Sequence, residues 1–313
     1  MKKFHIVVDF SYLYYRYFFK LKQDANKKYG IKKLSTIIDG EEVNTTYMYH
    51  IGRDIESFRE QLYKMAGYDN EITVSICFDS KSERKEEDAE YKANRENKLS
   101  KEDFENLDNL RKFFGDIGYN IYKEEGKEAD DLVYSLVELY KDDYDLTIIY
   151  TPDKDLMVNI CDNVGVMRSN TYKGTYDVVY KKNYEKYLSE KLKCTIKYNS
   201  ILLYLSMVGD NIDGIKGIKG FGPKAFDKFV GVLEAEDFDF NKLSNTEDVR
   251  NTLLRYEDVY RGKNDSALEE ALKSLEMAKS RLVQIDKPKK NDSKEKRNLV
   301  YNKYNMKSLL DKE

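Results

Sequence analysis

Histidine is nearly missing. The 313-residue chain has two, His5 and His50, which rules out a mechanism built on a histidine cluster and a His-rich zinc site with it. Cysteine is almost as scarce. Cys77, Cys161 and Cys194 are odd in number and form no CxxC pair. Neither a disulfide framework nor a Cys-rich zinc site is expected, and a reducing cytoplasm is the default compartment. Apolar stretches such as Ile201–Leu205 are far too short to span a bilayer. The opening MKKFHIVVDF lacks the long apolar segment of a signal peptide. A basic excess is absent as well. Lys and Arg number 54 against 57 Asp and Glu, a net charge of −3, which taken alone argues against a nucleic-acid binder. Chemistry must therefore lean on carboxylates, lysines and arginines. At 41% hydrophobic and 35% charged, the chain reads as soluble, globular and long enough for a real core.

The pattern that is present is α/β. Phe4–Phe10, Ile72–Phe78 and Leu146–Tyr150 are runs suited to buried parallel strands; Tyr119–Tyr122 and Val164–Met167 are weaker ones. Ser11–Leu21, Thr46–Ala66, Phe104–Ile117 and Glu128–Tyr140 read as helices, the second through Met48, Ile51, Ile55, Phe58, Leu62 and Met65. Asp39-Gly40 is a hairpin turn signal between Ile37 and Val43. Strands alternating with helices imply a mostly parallel sheet, whose ligands sit beyond the carboxyl ends of the strands. From Lys81 to Lys101 nearly every second residue is charged, as in a solvated helix or a disordered loop. After about Tyr180 the texture turns helical, with segments at Ser200–Val208, Val249–Tyr260 and Ala267–Val283. Lys287–Asn298 reads as an exposed tail or linker.

Every strong strand ends in acid. Asp9 closes the first, Asp79 the second, and Thr151-Pro152-Asp153-Lys154-Asp155 follows the third. Glu128, Asp130 and Asp131 open a helix, and Asp210 and Asp213 follow the apolar helix at Ser200–Val208. Each alone could be a turn residue or a cap. Grouped as D-x-D, E-x-D-D and D-x-x-D, they cannot all be that. Two carboxylates about 4 Å apart repel by about 4 kcal/mol at an effective dielectric of ~20. Nine such groups need counter-charge, and all-oxygen ligation points to Mg²⁺ or Mn²⁺ rather than Zn²⁺. Two such ions suit in-line attack on a phosphodiester. Setting the nine acids aside turns the net charge from −3 to +6, a mildly basic surface.

Between two helices lies Gly214–Lys224. Glycines let backbone N–H groups approach a phosphate, Pro223 suits a first helical turn, and Lys216, Lys219 and Lys224 add charge. Interleaved Ile215, Ile218 and Phe221 predict a packed turn. Such an element grips duplex backbone without reading bases. In the charged stretch, Lys92 and Arg95 could neutralise a scissile phosphate and Tyr91 could stack on a base, against the plainer reading of a solvated face.

These motifs resemble the structure-specific 5′ nuclease family, in its bacteriophage and bacterial branch. The likeness runs in order from about Ile6 to Phe229, and faintly over Glu276–Pro288. It is carried by Asp9 with Arg16; Phe78-Asp79, Arg84 and Tyr91-Lys92-Ala93-Asn94-Arg95; Gly126–Asp131; Thr151–Leu156; and Gly209–Ala225. Gly214 stands where the bacterial pattern has Asn, and Phe221 interrupts GIG. The resemblance implies a PIN-like (resolvase-like) mostly parallel core over 1–180, with a helical arch at about 80–115. A helical region over 181–313 would hold a helix-hairpin-helix (H2TH) element at about 200–230 and a charged C-terminal tail. It implies a first metal site of Asp9, Asp79, Glu128, Asp130 and Asp131, and a second of Asp153, Asp155, Asp210 and Asp213. Lys92, Arg95, Asp153 and Asp155 would carry catalysis. Arg16, Arg84, Tyr91, Lys92, Arg95, Lys216, Gly217, Lys219, Gly220, Gly222 and Lys224 would contact DNA. Two Mg²⁺ ions, replaceable by Mn²⁺, are the implied cofactors, with K⁺ a further candidate at the hairpin.

The implied activity is 5′–3′ exonuclease and flap endonuclease, on branched or nicked DNA and RNA/DNA duplexes. The implied protein is a monomer without a membrane, in prokaryotic or phage-infected cytoplasm, that removes primers or flaps in replication. Two alternatives remain: a PIN-type ribonuclease, and a non-catalytic DNA-junction binder. No replication partner is identifiable, and the arch, having almost no apolar face, is expected to be mobile without DNA.

Overall fold

The computed structural model describes residues 1–24, 33–93, 99–170, 175–262, 264–289 and 293–310. The chain forms two compact units. The first comprises Met1–Lys81, Lys98–Thr151 and Val283–Glu313; the second comprises Ser82–Asn97 and Pro152–Leu282. This division interleaves along the chain and differs from a single cut near 180.

In the first unit, strands β1 (Lys3–Asp9), β4 (Glu71–Cys77), β5 (Asn120–Tyr122) and β6 (Leu146–Tyr150) pair in parallel, in the order β5-β4-β1-β6. β1 and β4 are central, so both faces are covered. Ile6, Val7, Val8, Ile72, Val74 and Ile76 are accordingly all buried. Helices α1 (Phe10–Asp24), α2 (Thr46–Ala66), α4 (Lys101–Ile117) and α5 (Ala129–Tyr140) follow strands or connect them. The apolar stripe of α2 is buried from Met48 to Leu62, but Met65 lies in the last turn and is 81% exposed. α4 starts at a capping box: Asp103 N–H donates to Ser100 Oγ (3.3 Å) and Ser100 N–H donates to Asp103 Oδ2 (2.8 Å). Strands β2 (Ser35–Ile38) and β3 (Glu41–Asn44) form the hairpin that Asp39-Gly40 predicts. Both histidines are buried. His5 shares a 2.8 Å hydrogen bond with Ser75, and burial pulls its pKa down to about 3, so it stays neutral.

The C-terminal segment corrects the expected tail. Val283 N–H donates to Ser135 Oγ (2.8 Å), Tyr140 donates to the Ile285 carbonyl (2.7 Å), and Asn120 exchanges two hydrogen bonds with Lys289. Helix α12 (Lys294–Lys303) then brings Arg297 and Tyr301 to Glu56 on α2. Burial pushes the Glu56 carboxyl up, but Arg59, Arg297 and the hydroxyls of Tyr119 and Tyr301 outweigh it and hold it below the usual range. Composition hides this, because the few residues that anchor the helix are diluted by lysines.

The second unit contains α3 (Arg84–Glu87), strands β7 (Val164–Asn170) and β8 (Thr175–Val179), and helices α6 (Tyr184–Leu192), α7 (Ile201–Val208), α8 (Pro223–Ala235), α9 (Thr246–Arg255), α10 (Glu257–Tyr260) and α11 (Ala267–Ala278). β8 is antiparallel to β7 and was not expected. α7 is apolar on all sides because it is buried on all sides but its last turn, and α11 packs along it. Among the described residues, no helix is long and apolar enough to cross a membrane.

Candidate active site

Strand register builds the first group of acids. Asp9 pairs with Cys77, and Val8 with Tyr150, so Asp9, Asp79 and Thr151 reach one sheet edge together. Asp9 is buried; Thr151 Oγ1 donates to its Oδ2 (2.9 Å), and Tyr12 N–H points at its Oδ1 (3.4 Å). Asp79 accepts from the Ser11 hydroxyl and from Ala129 N–H (2.7 Å), the first residue of α5. That contact fixes the start of α5, where Glu128 is the N-cap and Asp130 and Asp131 occupy the first turn. Asp131 also has a local duty, since its Oδ2 accepts from Glu128 N–H (3.3 Å). The convergence registers on Cys77. Its thiol is pushed well up, first by burial and then by the charges of Asp9, Asp130 and Asp79. Cys77 is an inert core thiol beside the acids.

The second group is built by two turns. Asp155 N–H donates to Asp153 Oδ1 (2.9 Å). Beyond α7, Asp210 and Ile215 exchange backbone hydrogen bonds (2.7 and 2.9 Å), closing a loop that holds Asp210 and Asp213. Burial is the main reason that the Asp155 pKa rises to about 7; Asp153, Asp213 and Asp210 push the same way against Lys154. The other three acids therefore all act on Asp155. Lys154 was not assigned a role from sequence. Its ammonium pairs with Asp210 and lies 3.2 Å from Asp155 Oδ1. Burial would lower its pKa, but Asp155, Asp210 and Asp153 hold it up. Lys191 on α6 was missed too. Its ammonium donates to the Pro152 carbonyl (3.1 Å) within reach of Asp153, a proximity that no sequence spacing announces.

The donor set suits a hard cation: every candidate ligand is a carboxylate oxygen. Asp155 Oδ1 is buried, makes no hydrogen bond and faces the Lys154 ammonium at 3.2 Å, so positive charge already sits where the acids gather. As positioned here, no three acidic, histidine or cysteine side chains among the described residues converge closely enough to hold an ion. Asp9, Asp79 and Asp210 are instead turned to hydroxyl, N–H and ammonium donors.

The remaining candidates divide. Arg16 is half-buried and pairs with Asp54 (2.9 Å). In the charged stretch the solvated reading fails at three positions, Arg84, Tyr91 and Lys92, which are 4%, 5% and 7% exposed, while Lys85, Glu86, Glu87 and Glu90 are exposed. Arg84 donates to the Lys279 carbonyl (2.9 Å) and, with Lys92, places its cation over the Tyr91 ring (5.9 and 5.0 Å). Tyr91 is thus covered rather than displayed for stacking on a base. Arg95 lies outside the described residues. In the hairpin, Ile215 and Ile218 are buried as expected of a packed turn, whereas Phe221 is only half-buried. Gly217 N–H donates to Ser274 Oγ (3.0 Å) and Lys219 N–H to Glu270 (2.7 Å), so these donors are spent internally. Lys216 pairs with Glu90. Gly220, Gly222 and Lys224 line a surface hollow at the start of α8 with Lys193 and Lys228.

A family model described as 5′-3′ exonuclease, N-terminal resolvase-like domain, matches residues 5–191. DNA polymerase I of Treponema pallidum is 29% identical over 43% of this chain and 13% of its own length. The 5′-3′ exonuclease of Mycoplasma pneumoniae is 30% identical over 54% of this chain and 58% of its own. The chain thus spans less than two thirds of either relative. In fold it is similar to the bacteriophage T5 flap endonuclease, solved as a pseudo-enzyme–product complex with DNA and metal ions. That match has a TM-score of 0.50 and 20% identity, covering 88% of this chain and 99% of that one.

Proposed function

This chain belongs to the 5′-3′ exonuclease family, and from that premise we propose that it is a divalent-metal-dependent 5′ nuclease. It hydrolyses phosphodiesters at 5′ ends and branch junctions of DNA, as a monomer, and removes primers or flaps during replication. The observation that carries the reading is the gathering of acids at the strand ends around Cys77, matched by a second group around Asp155. Asp9, Asp79, Glu128, Asp130 and Asp131 would hold one cation, and Asp153, Asp155, Asp210 and Asp213 the other, Mg²⁺ in each case. When bound, such cations supply the positive charge that favours attack on phosphorus and departure of the 3′ oxygen. Thr151 and Ser11 orient Asp9 and Asp79 through their hydroxyls, and Lys154 keeps Asp155 and Asp210 compatible. Lys92 adds a charge for the phosphoryl oxygens.

The test is cleavage of internally labelled 5′-flap, nicked, blunt and single-stranded DNA, and of structured RNA, in Mg²⁺ or EDTA. Mg²⁺-dependent cuts near the flap base are expected. Cleavage of RNA alone would favour a ribonuclease, and binding without cleavage a junction binder.

The surface at the start of α8 fits duplex backbone, with K⁺ a further ligand. Lys219→Ala combined with Lys224→Ala should weaken binding to all sequences alike and reduce the salt slope of log K by up to ~2. Affinity measured across a salt series checks this; an unchanged slope would mean that these lysines do not touch phosphate.

A further inference from the structure

Gly214 follows Asp213 in the turn closed by Asp210 and Ile215, and the fold leaves no room there for a side chain. Its φ is +73°, a conformation that L side chains rarely adopt. A Cβ placed there would lie 2.5 Å from the Glu90 carbonyl oxygen and 3.2 Å from the Lys92 nitrogen. Both obstacles are backbone, so neither can swing aside. One residue earlier, the Asp213 carbonyl accepts the Lys92 N–H at 2.9 Å. Lys92 itself is held at φ +51°, left-handed and unusual for a residue with a Cβ. Two ion pairs tie the same segment down: Lys216 with Glu90, and Lys273 with Asp88 at 2.8 Å. The backbone of 88–92 is therefore seated on the turn that carries Asp213, and the seat exists because residue 214 lacks a side chain.

We propose that Gly214 is a positioning residue: by admitting the 90–92 backbone against the Asp213 turn, it fixes where the Lys92 ammonium sits relative to the second group of acids. The proposal rests on the reading of Lys92 as a residue that acts on the scissile phosphate. Restoring an ordinary contact of 3.4 Å from 2.5 Å requires a shift of close to an ångström. A misplacement of ~1 Å in a catalytic constellation costs on the order of 10²-fold in rate.

The experiment is a double-mutant cycle in the full chain. Gly214→Ala should lower the single-turnover rate on a 5′ flap at saturating DNA by on the order of 10²-fold, leave DNA affinity unchanged, and speed hydrogen exchange across residues 88–93. Gly262→Ala is the control: Gly262 has φ +54° and nothing lies within 4 Å of where its Cβ would be, so the change brings backbone strain without a clash. In a Lys92→Ala background, Gly214→Ala should cost nothing further. A full additional loss there, or exchange across 88–93 unchanged from the parent, would overturn the proposal. A silent Lys92→Ala would instead overturn the reading beneath it, while the exchange data would still judge the seat. Should Gly214→Ala fail to fold, Lys273→Ala cuts an exposed tether of the same segment. It should also lower the rate only while Lys92 is present, and a loss that persists without Lys92 counts against the proposal.

Discussion

Asp155→Ala should reduce cleavage to the level seen in EDTA while duplex binding survives, and Asp130→Ala should do the same through the first group of acids. The two variants separate holding a cation from holding DNA. Asp155 is the more telling, because the fold keeps it at a loss. Burial disfavours its charge most, and Asp153, Asp213 and Asp210 add to that, outweighing the Lys154 ammonium 3.2 Å from its Oδ1. An acid placed for stability would not be treated so; an acid placed for a cation would. Removing it relieves repulsion and leaves Lys154 paired with Asp210. Melting in EDTA should therefore show stability equal to or above that of the parent, and added Mg²⁺ should raise Tm less in the variant than in the parent. Near-parent turnover of both variants at millimolar Mg²⁺ would defeat the assignment of these acids to metal.

The strands that position the acids were legible because each is a short apolar run that ends in aspartate or is followed by one within three residues, and a parallel sheet brings such ends to one edge. The hairpin was legible for a similar reason, with Ile215 and Ile218 alternating among glycines. What composition could not reveal were charges whose partners lie far away in sequence. Arg84 is buried against the carbonyl of Lys279 and Arg297 against Glu56, and Arg16 is half-buried against Asp54. A run rich in charge looks solvated until those partners are known, because a single distant partner per arginine is enough to reverse the reading. The same blindness made a tail of the segment that becomes α12. Lys154 and Lys191 belong here too: a lysine beside an acidic cluster is visible only once the cluster has a place.

Lys92→Ala should lower the single-turnover rate on a 5′ flap by about 10²–10³, or ~3–4 kcal/mol, the usual cost of losing one donor to developing charge. Affinity for the flap should change little, so that the loss appears in the chemical step. The sequence alone makes Lys92 one lysine in a solvated run, where alanine would be neutral. The fold makes it a buried cation stacked on Tyr91, with its N–H on Asp213. A purely structural Lys92 would show its loss as stability, about 1–2 kcal/mol for a desolvated cation–π contact. The two roles thus predict different quantities. The catalytic one requires the rate loss to exceed the stability loss, and to persist at temperatures far below the variant's Tm. Lys81→Ala serves as control; Lys81 is exposed at the start of the same run and should stay within about 0.5 kcal/mol in stability, with parent activity. If Lys92→Ala cleaves within about threefold of the parent at saturating DNA, far short of the loss expected for a donor to the reacting phosphate, its charge does not act there. With Arg84 committed to Lys279, that role would pass to Arg95, and Arg95→Ala would then be the variant that stops the reaction.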